Sequence, residues 1–295
     1  MAVEPEQQLR AYVEYLRDLG VHDFYRQGEP VRGEVAADAT VPVAQIIVPQ
    51  PLPVETAVIE ESEAAPVLNH PAPSSRPAFL EPPIAKLVSF DDLALLPESR
   101  VAPAHKADAL GAIQEEIGDC TRCPLAYAGR RKIVFGDGDA NARLMFVGEG
   151  PGADEDVQGL PFVGKAGQLL NNMIQAMGLK REQVYIANIV KCRPPNNRTP
   201  EPVEANTCDQ FLLRQIDVVQ PEVIVALGST AATYLLGVKQ SLSALRGRWH
   251  SCRGAKLAVT YHPAFLLRDP RMKAEAWKDL QRVMAEMGLK APAKG

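Results

Sequence analysis

Four short apolar runs, each leading into a helical pattern, constrain this chain more than any other feature. Residues 143–148, 183–190, 222–228 and 256–261 are mostly apolar, as strands covered on both faces are. Residues 164–177, 201–219, 229–236 and 272–287 instead place apolar side chains at three- and four-residue spacing. Leu169, Leu170, Met173, Ile174 and Met177 show the period. Strands that alternate with helices in this way form a parallel sheet covered by helices. The expected fold is therefore α/β, with a central four-stranded parallel sheet and helices on both faces. A further helix is expected over 106–118, with Leu110, Ile113 and Ile117 on its inner side.

This pattern occupies 105–295, which reads as the functional domain. Residues 1–28 hold a short amphipathic helix, with Leu9, Tyr12, Val13, Leu16 and Leu19 at helical spacing. Between them, 29–104 reads as an acidic, Pro/Ala-rich disordered linker. Thirteen of the 25 prolines fall between Pro30 and Pro103, and such a composition buries too little apolar surface to offset chain entropy. Charge divides at the same place. Residues 1–104 carry seven Lys/Arg against sixteen Asp/Glu, and 105–295 carry twenty-five against twenty. A basic domain suits a polyanionic partner, while the acidic extension is free to carry a protein partner. No apolar run approaches the roughly 18–20 residues of a membrane span. Glu4, Glu6 and Arg10 interrupt any signal-like pattern, so a cytoplasmic protein without membrane contact is expected.

In a doubly wound sheet, ligands bind beyond the carboxyl ends of the strands. Those ends hold Gly148-Glu-Gly-Pro-Gly152, Asn188 with Lys191, Gly228 with Ser229, and His262. A carboxylate, an amide and an imidazole thus converge on one rim. Gly148, Gly150 and Gly152 allow a sharp turn and a close backbone approach to a ligand. A nucleotide-binding G-x-G-x-x-G is missing, since Gly136-Asp-Gly138 precedes its strand and lacks that context.

Five cysteines in a reducing compartment point to metal or catalysis more than to disulfides. Cys120 and Cys123 form a C-x2-C pair, Cys192 follows the second strand, and Cys208 lies in the next helix. Four thiolates suit zinc or an iron–sulfur cluster, and spacing does not choose between them. Cys252 is left over. The simplest role for such a centre is structural, holding the Cys192 loop near Asn188.

From about residue 119 to 289 the chain resembles the type-4, iron–sulfur uracil-DNA glycosylases of the uracil-DNA glycosylase superfamily. The resemblance rests on Cys120-x2-Cys123, Val134-Phe-Gly136, Gly148-Glu-Gly-Pro-Gly152 and Pro161-Phe-Val-Gly-Lys-Ala-Gly-Gln-Leu-Leu170. It rests also on Asn188-Ile-Val-Lys-Cys-Arg-Pro-Pro195, Cys208 and His262-Pro-Ala-Phe-Leu-Leu-Arg268. It implies hydrolysis of the N-glycosidic bond of deoxyuridine, in single- or double-stranded DNA, by a monomer. It also implies a [4Fe-4S] cluster on Cys120, Cys123, Cys192 and Cys208.

By the same resemblance Phe162 stacks on the flipped base and Asn188 reads the uracil edge. His262 then stabilises charge on the departing base. Gly148 and Gly150 supply backbone to the pocket. Glu149 has three open roles: positioning water, contacting uracil, or excluding the thymine methyl. The position after it is Gly150, where the best-known branch of the superfamily carries a water-positioning aspartate. Leu266 and Leu267 are expected on a loop as a wedge into DNA, with Lys165, Arg193, Arg198 and Arg268 near phosphates. The alternative is a non-catalytic Fe–S or zinc protein that binds nucleic acid, such as a polymerase accessory.

Overall fold

The computed structural model describes residues 87–290, and in it the apolar runs become the centre of one sheet. In chain order the elements are α1 (Phe90–Leu93), α2 (Lys106–Ile117), β1 (Asp137–Gly138), β2 (Leu144–Gly148) and α3 (Ala153–Gln158). Next come α4 (Lys165–Ala176), β3 (Tyr185–Asn188), α5 (Pro202–Val219), β4 (Val223–Leu227) and α6 (Ser229–Leu236). The last are α7 (Leu242–Leu245), β5 (His250–Cys252), β6 (Ala255–Thr260), α8 (Pro263–Arg268) and α9 (Lys273–Met287). Strand order is β1-β3-β2-β4-β6-β5. The inner four strands are parallel, as the apolar runs imply.

The sheet has six strands rather than four, because β1 and β5 add antiparallel edges. Each is only two or three residues long, too short to show a strand period.

Period-two alternation assigns the strand side chains to two cores. Met145, Val147, Ala187, Ile224, Ala226, Leu257 and Val259 face a layer of α2, α5 and α6, where Ile113, Phe211, Ile216 and Leu235 cover them. Leu144, Phe146, Ile186, Val223 and Val225 face the opposite layer, covered by Leu170 and Ile174 of α4 and by Leu280 and Val283 of α9. This arrangement leaves the carboxyl ends of four parallel strands open at one edge of both layers. Among the described residues, no helix is long and apolar enough to cross a membrane.

The acidic linker expected over 29–104 ends sooner than composition suggests. Ser89 caps α1 by accepting the Asp92 N–H, and Phe90 is buried in the core. The Arg253 guanidinium donates to the carbonyls of Phe90, Ala94 and Leu95 while pairing with Asp217 at 2.6 Å. A few apolar residues in a proline-rich stretch are diluted in any compositional average, and that is why they are missed. The helix expected within 1–28 and the linker over 29–86 lie outside the described residues.

Candidate functional site at the strand ends

Parallel pairing of β2 with β3 makes Gly148 and Asn188 register partners. The Asn188 side chain therefore leans across the end of β2, and glycine is what admits it. A β-carbon at Gly148 would collide with Asn188 Oδ1 and lie 2.6 Å from Phe162 Cζ. Asn188 is 1% exposed. Its Oδ1 is nevertheless the one fully buried side-chain polar atom among the described residues with no hydrogen-bond partner. Leaving such an acceptor unpaired costs about 1–3 kcal/mol. That cost makes sense if a ligand donor completes it.

Phe162 is held in an unusual backbone conformation beside that amide. Its φ is +52°, which for a bulky side chain costs on the order of 1–3 kcal/mol. Two charged side chains pin it there. Arg181 donates to the carbonyls of Pro161 at 2.6 Å and Phe162 at 3.2 Å. Glu155 accepts the N–H groups of Gly152, Val163 and Gly164 at 2.9–3.1 Å, tying the first glycine turn to the Phe162 loop. Neither residue emerges from the sequence as part of the site. The available signal for Glu155 is its place three residues after Gly152, where a helix-capping carboxylate is common. Arg181 leaves no local signal, since it acts from a separate turn.

His262 caps α8, and its ring stands 5.6 Å from that of Phe162. Its Nδ1 accepts the Ala264 N–H at 3.1 Å. An accepting Nδ1 carries no proton, so the neutral ring is protonated at Nε2 and can donate there. Burial, aided by Arg268 and opposed by Glu155, lowers its pKa to about 4. The imidazole is therefore neutral at pH 7.

Glu149 lies at the end of β2, where the Thr230 hydroxyl of α6 donates to its Oε2. Together with Gly150, Phe162, Asn188 and His262 it lines a cavity of about 750 Å³. Gly148 contacts this wall through Asn188 and Phe162. Lys165 and Arg268 are exposed residues of the same lining. Arg198 also lines the cavity but is committed to buried Glu204 through two hydrogen bonds of 2.6 and 2.8 Å, while Arg193 is outside the lining and donates to Asn197 at 2.8 Å. Leu266 and Leu267 sit on helix α8, where a loop is expected from sequence. Leu266 is 1% exposed and belongs to the core, while Leu267 is 43% exposed. The reason is helical geometry, which sends adjacent residues to different faces.

The four other candidate residues are thiols, all unpaired. Cys192 and Cys208 are buried, and Cys120 and Cys123 are partly so. The charges of Cys192 and Cys123 bear on Cys208, and those of Cys123 and Cys120 on Cys192, so the four share one neighbourhood. N–H groups point at three sulfurs: Arg122 at Cys120 (3.5 Å), Arg130 at Cys192 (3.3 Å) and the Lys191 amide at Cys208 (3.3 Å). Burial pushes the Cys208 thiol up to about 12, so a thiolate there needs a positive partner. Among the described residues, no three His, Cys, Asp or Glu side chains close on a point that would hold a single metal ion. Cys252 lies elsewhere, at the edge strand near Asp91, Arg253 and Asp217.

A profile of the Uracil DNA glycosylase superfamily matches residues 135–281. The chain is 46% identical over 166 residues to the type-4 uracil-DNA glycosylase of Thermotoga maritima, covering 56% of this chain and 86% of that one. It is 39% identical over 193 residues to the enzyme of that name from Archaeoglobus fulgidus, covering 63% and 96%. The enzyme of the same name from Saccharolobus solfataricus is 40% identical over 192 residues, covering 62% and 88%.

Proposed function

This chain belongs to the type-4 uracil-DNA glycosylase family, and from that premise we propose that its strand-end cavity binds a flipped deoxyuridine and releases the base. The protein excises uracil from DNA by hydrolysing the N-glycosidic bond, which leaves an abasic site for repair. The observation that carries the pocket assignment is the unpartnered, buried Oδ1 of Asn188. Uracil offers N3–H to that acceptor, and its O4 can accept from Nδ2 of the same amide. Cytosine reverses the pattern, so it would leave buried groups unpaired at about 1–3 kcal/mol each. A module that only bound DNA would have no use for that orphan acceptor.

A base inside a duplex is out of reach until its nucleotide is flipped into the pocket, and a single strand spares that cost. Phe162 then supplies an aromatic face for the ring. As the glycosidic bond lengthens, negative charge grows on the base, chiefly at its carbonyl oxygens. His262 donates its Nε2–H to O2. A neutral imidazole stabilises that charge without surrendering a proton, and one such donor is worth about 3–4 kcal/mol. The base leaves with the bonding electron pair as the uracil anion, and the sugar cation that remains in the strand is stabilised by that anion and by the DNA phosphates.

Water then adds to C1′ of the sugar cation, and the proton it gives up neutralises the released uracil anion. Among the carboxylates lining the cavity, Glu155 is engaged by three backbone N–H groups, and Asp154 is exposed. Glu149 keeps Oε1 free, and we assign it the water. Lys165 and Arg268 sit at the cavity where backbone phosphates would pass, and Leu267 is placed to fill the space that the flipped nucleotide leaves.

Cys120, Cys123, Cys192 and Cys208 are assigned to a [4Fe-4S] cluster. Four cysteine thiolates are the donor set that would hold such a cluster, and these four share one neighbourhood. When bound, it fastens the segment after α2 to the β3–α5 loop and to α5, and so steadies the wall that carries Asn188. Five unpaired cysteines also suit a reducing cytoplasm, and we infer a monomer.

The test is a uracil-containing oligonucleotide incubated with purified protein and then treated with alkali. Strand scission at uracil, but not at cytosine or thymine, is expected; no scission for U·G, U·A or single-stranded U would refute the function. Stoichiometric iron with absorbance near 400 nm is expected, and zinc in a colourless protein would refute the cluster.

A further inference from the structure

Lys191 is fully buried, at 0% exposure. Its Nζ donates to the backbone carbonyl of Asn188 at 3.0 Å and to Gln215 Oε1 at 2.6 Å. Both acceptors are neutral. The residue after Lys191 is Cys192, and the Lys191 backbone N–H points at the Cys208 sulfur at 3.3 Å. A buried ammonium without a counter-charge costs several kcal/mol. The surroundings are nonetheless built to hold it. Gln215 turns its other end to the Phe135 carbonyl and the Tyr185 hydroxyl, both at 3.0 Å. Gly136 makes room for that arrangement, since a β-carbon there would lie 2.9 Å from the Tyr185 oxygen and 3.1 Å from Gln215 Nε2. This accounts for the Val134-Phe-Gly136 motif, which the cavity does not use.

The same residue touches the cysteine centre from its other side, because its backbone N–H points at Cys208 Sγ. Thiolates at Cys192, the next residue, and at Cys208, which faces the Lys191 N–H, would place negative charge beside this residue. We propose that Lys191 is a positioning residue that links the two halves of the site. Its side chain anchors the peptide from which Asn188 reaches the uracil, and its charge is balanced by the thiolate ligands of the cluster. This inference rests on the cluster assignment above. It gives that cluster a defined influence on base recognition, at one hydrogen bond's remove from Asn188.

The test uses holoenzyme of wild type, Lys191→Met and Gln215→Leu, matched for iron content. Removing a nearby cation disfavours the more negative, reduced cluster. Lys191→Met should therefore shift the midpoint potential to more negative values, as followed by redox titration with electron paramagnetic resonance. The same variant should raise the inhibition constant of free uracil about tenfold, the worth of one hydrogen bond to a charged donor, with a smaller change in kcat. Gln215→Leu keeps the ammonium but removes one of its acceptors. It should weaken uracil binding in the same direction while moving the potential less, and it serves alone if Lys191→Met fails to fold. Iron-replete Lys191→Met with unchanged potential and unchanged uracil inhibition would overturn the proposal. So would Gln215→Leu with wild-type uracil inhibition, where it is the only folded variant. Wild-type protein lacking iron would refute the underlying cluster assignment, and that measurement is made first.

Discussion

Asn188 and His262 are the side chains to which the proposed chemistry is assigned, and each makes a separable prediction. Truncating Asn188 to alanine removes a buried acceptor with no partner, so the folded protein loses little that was favourable. Excision should fall by about 10²-fold or more, in line with losing two buried hydrogen bonds to the base, while the melting temperature stays unchanged or rises. A variant that retained wild-type kcat/KM would show that another group reads the uracil.

For His262 the sign follows from its depressed pKa of about 4, against about 6.5 in an unfolded chain. Between those values the unfolded state binds the extra proton. The stability associated with the neutral ring is thus complete above about pH 6.5 and is lost as pH falls toward 4. In denaturant melts wild type should therefore lose stability relative to His262→Ala as pH drops from 7 to 4.5. The kcat/KM profile should show no inflection from this histidine between pH 5 and 8. A step near pH 6.5 that His262→Ala abolished would contradict the neutral donor.

The sequence offers both as candidates because they stand at the carboxyl end of an apolar run, Asn188 as the last residue of β3 and His262 two residues past β6. Glu155 and Arg181 are not legible there, because they act through backbone groups from other turns, and only folding brings them to Phe162.

At the level of elements, the alternation of apolar runs with helical periods locates the four inner strands and the long helices to within a few residues. It fails where elements are short. β1, β5, α3 and α8 have two to six residues each, less than two helical turns or a readable strand period. The miss at α8 matters most, because a helix separates two leucines that a loop would treat alike. Leu266 packs into the core, and its replacement by alanine should cost about 2–5 kcal/mol of stability. Leu267 is exposed beside the cavity. Leu267→Ala should leave the melting temperature near wild type but slow excision from duplex DNA more than from single strands, since only the duplex must be held open. Equal slowing on both substrates would remove Leu267 from the wedge role.

For the whole molecule, the question is where the folded unit begins. Every residue assigned to the cavity lies at or after Gly148, so removal of 1–86 should leave excision from short oligonucleotides unchanged. Removal of 1–104 is different, although composition places that whole stretch in one linker. It strips Phe90 from the core, a loss of about 3–5 kcal/mol when such a ring is deleted. It also takes three carbonyl acceptors from Arg253, whose side chain is fully buried and would keep only the Asp217 partner there. The shorter protein should therefore melt well below the 87–295 form, and its activity should fail first on heating rather than in kcat at low temperature. Thermal melts of the two truncations, with excision assayed at low and high temperature, decide the matter. Equal melting temperatures would mean that residues 87–104 add nothing to the folded unit.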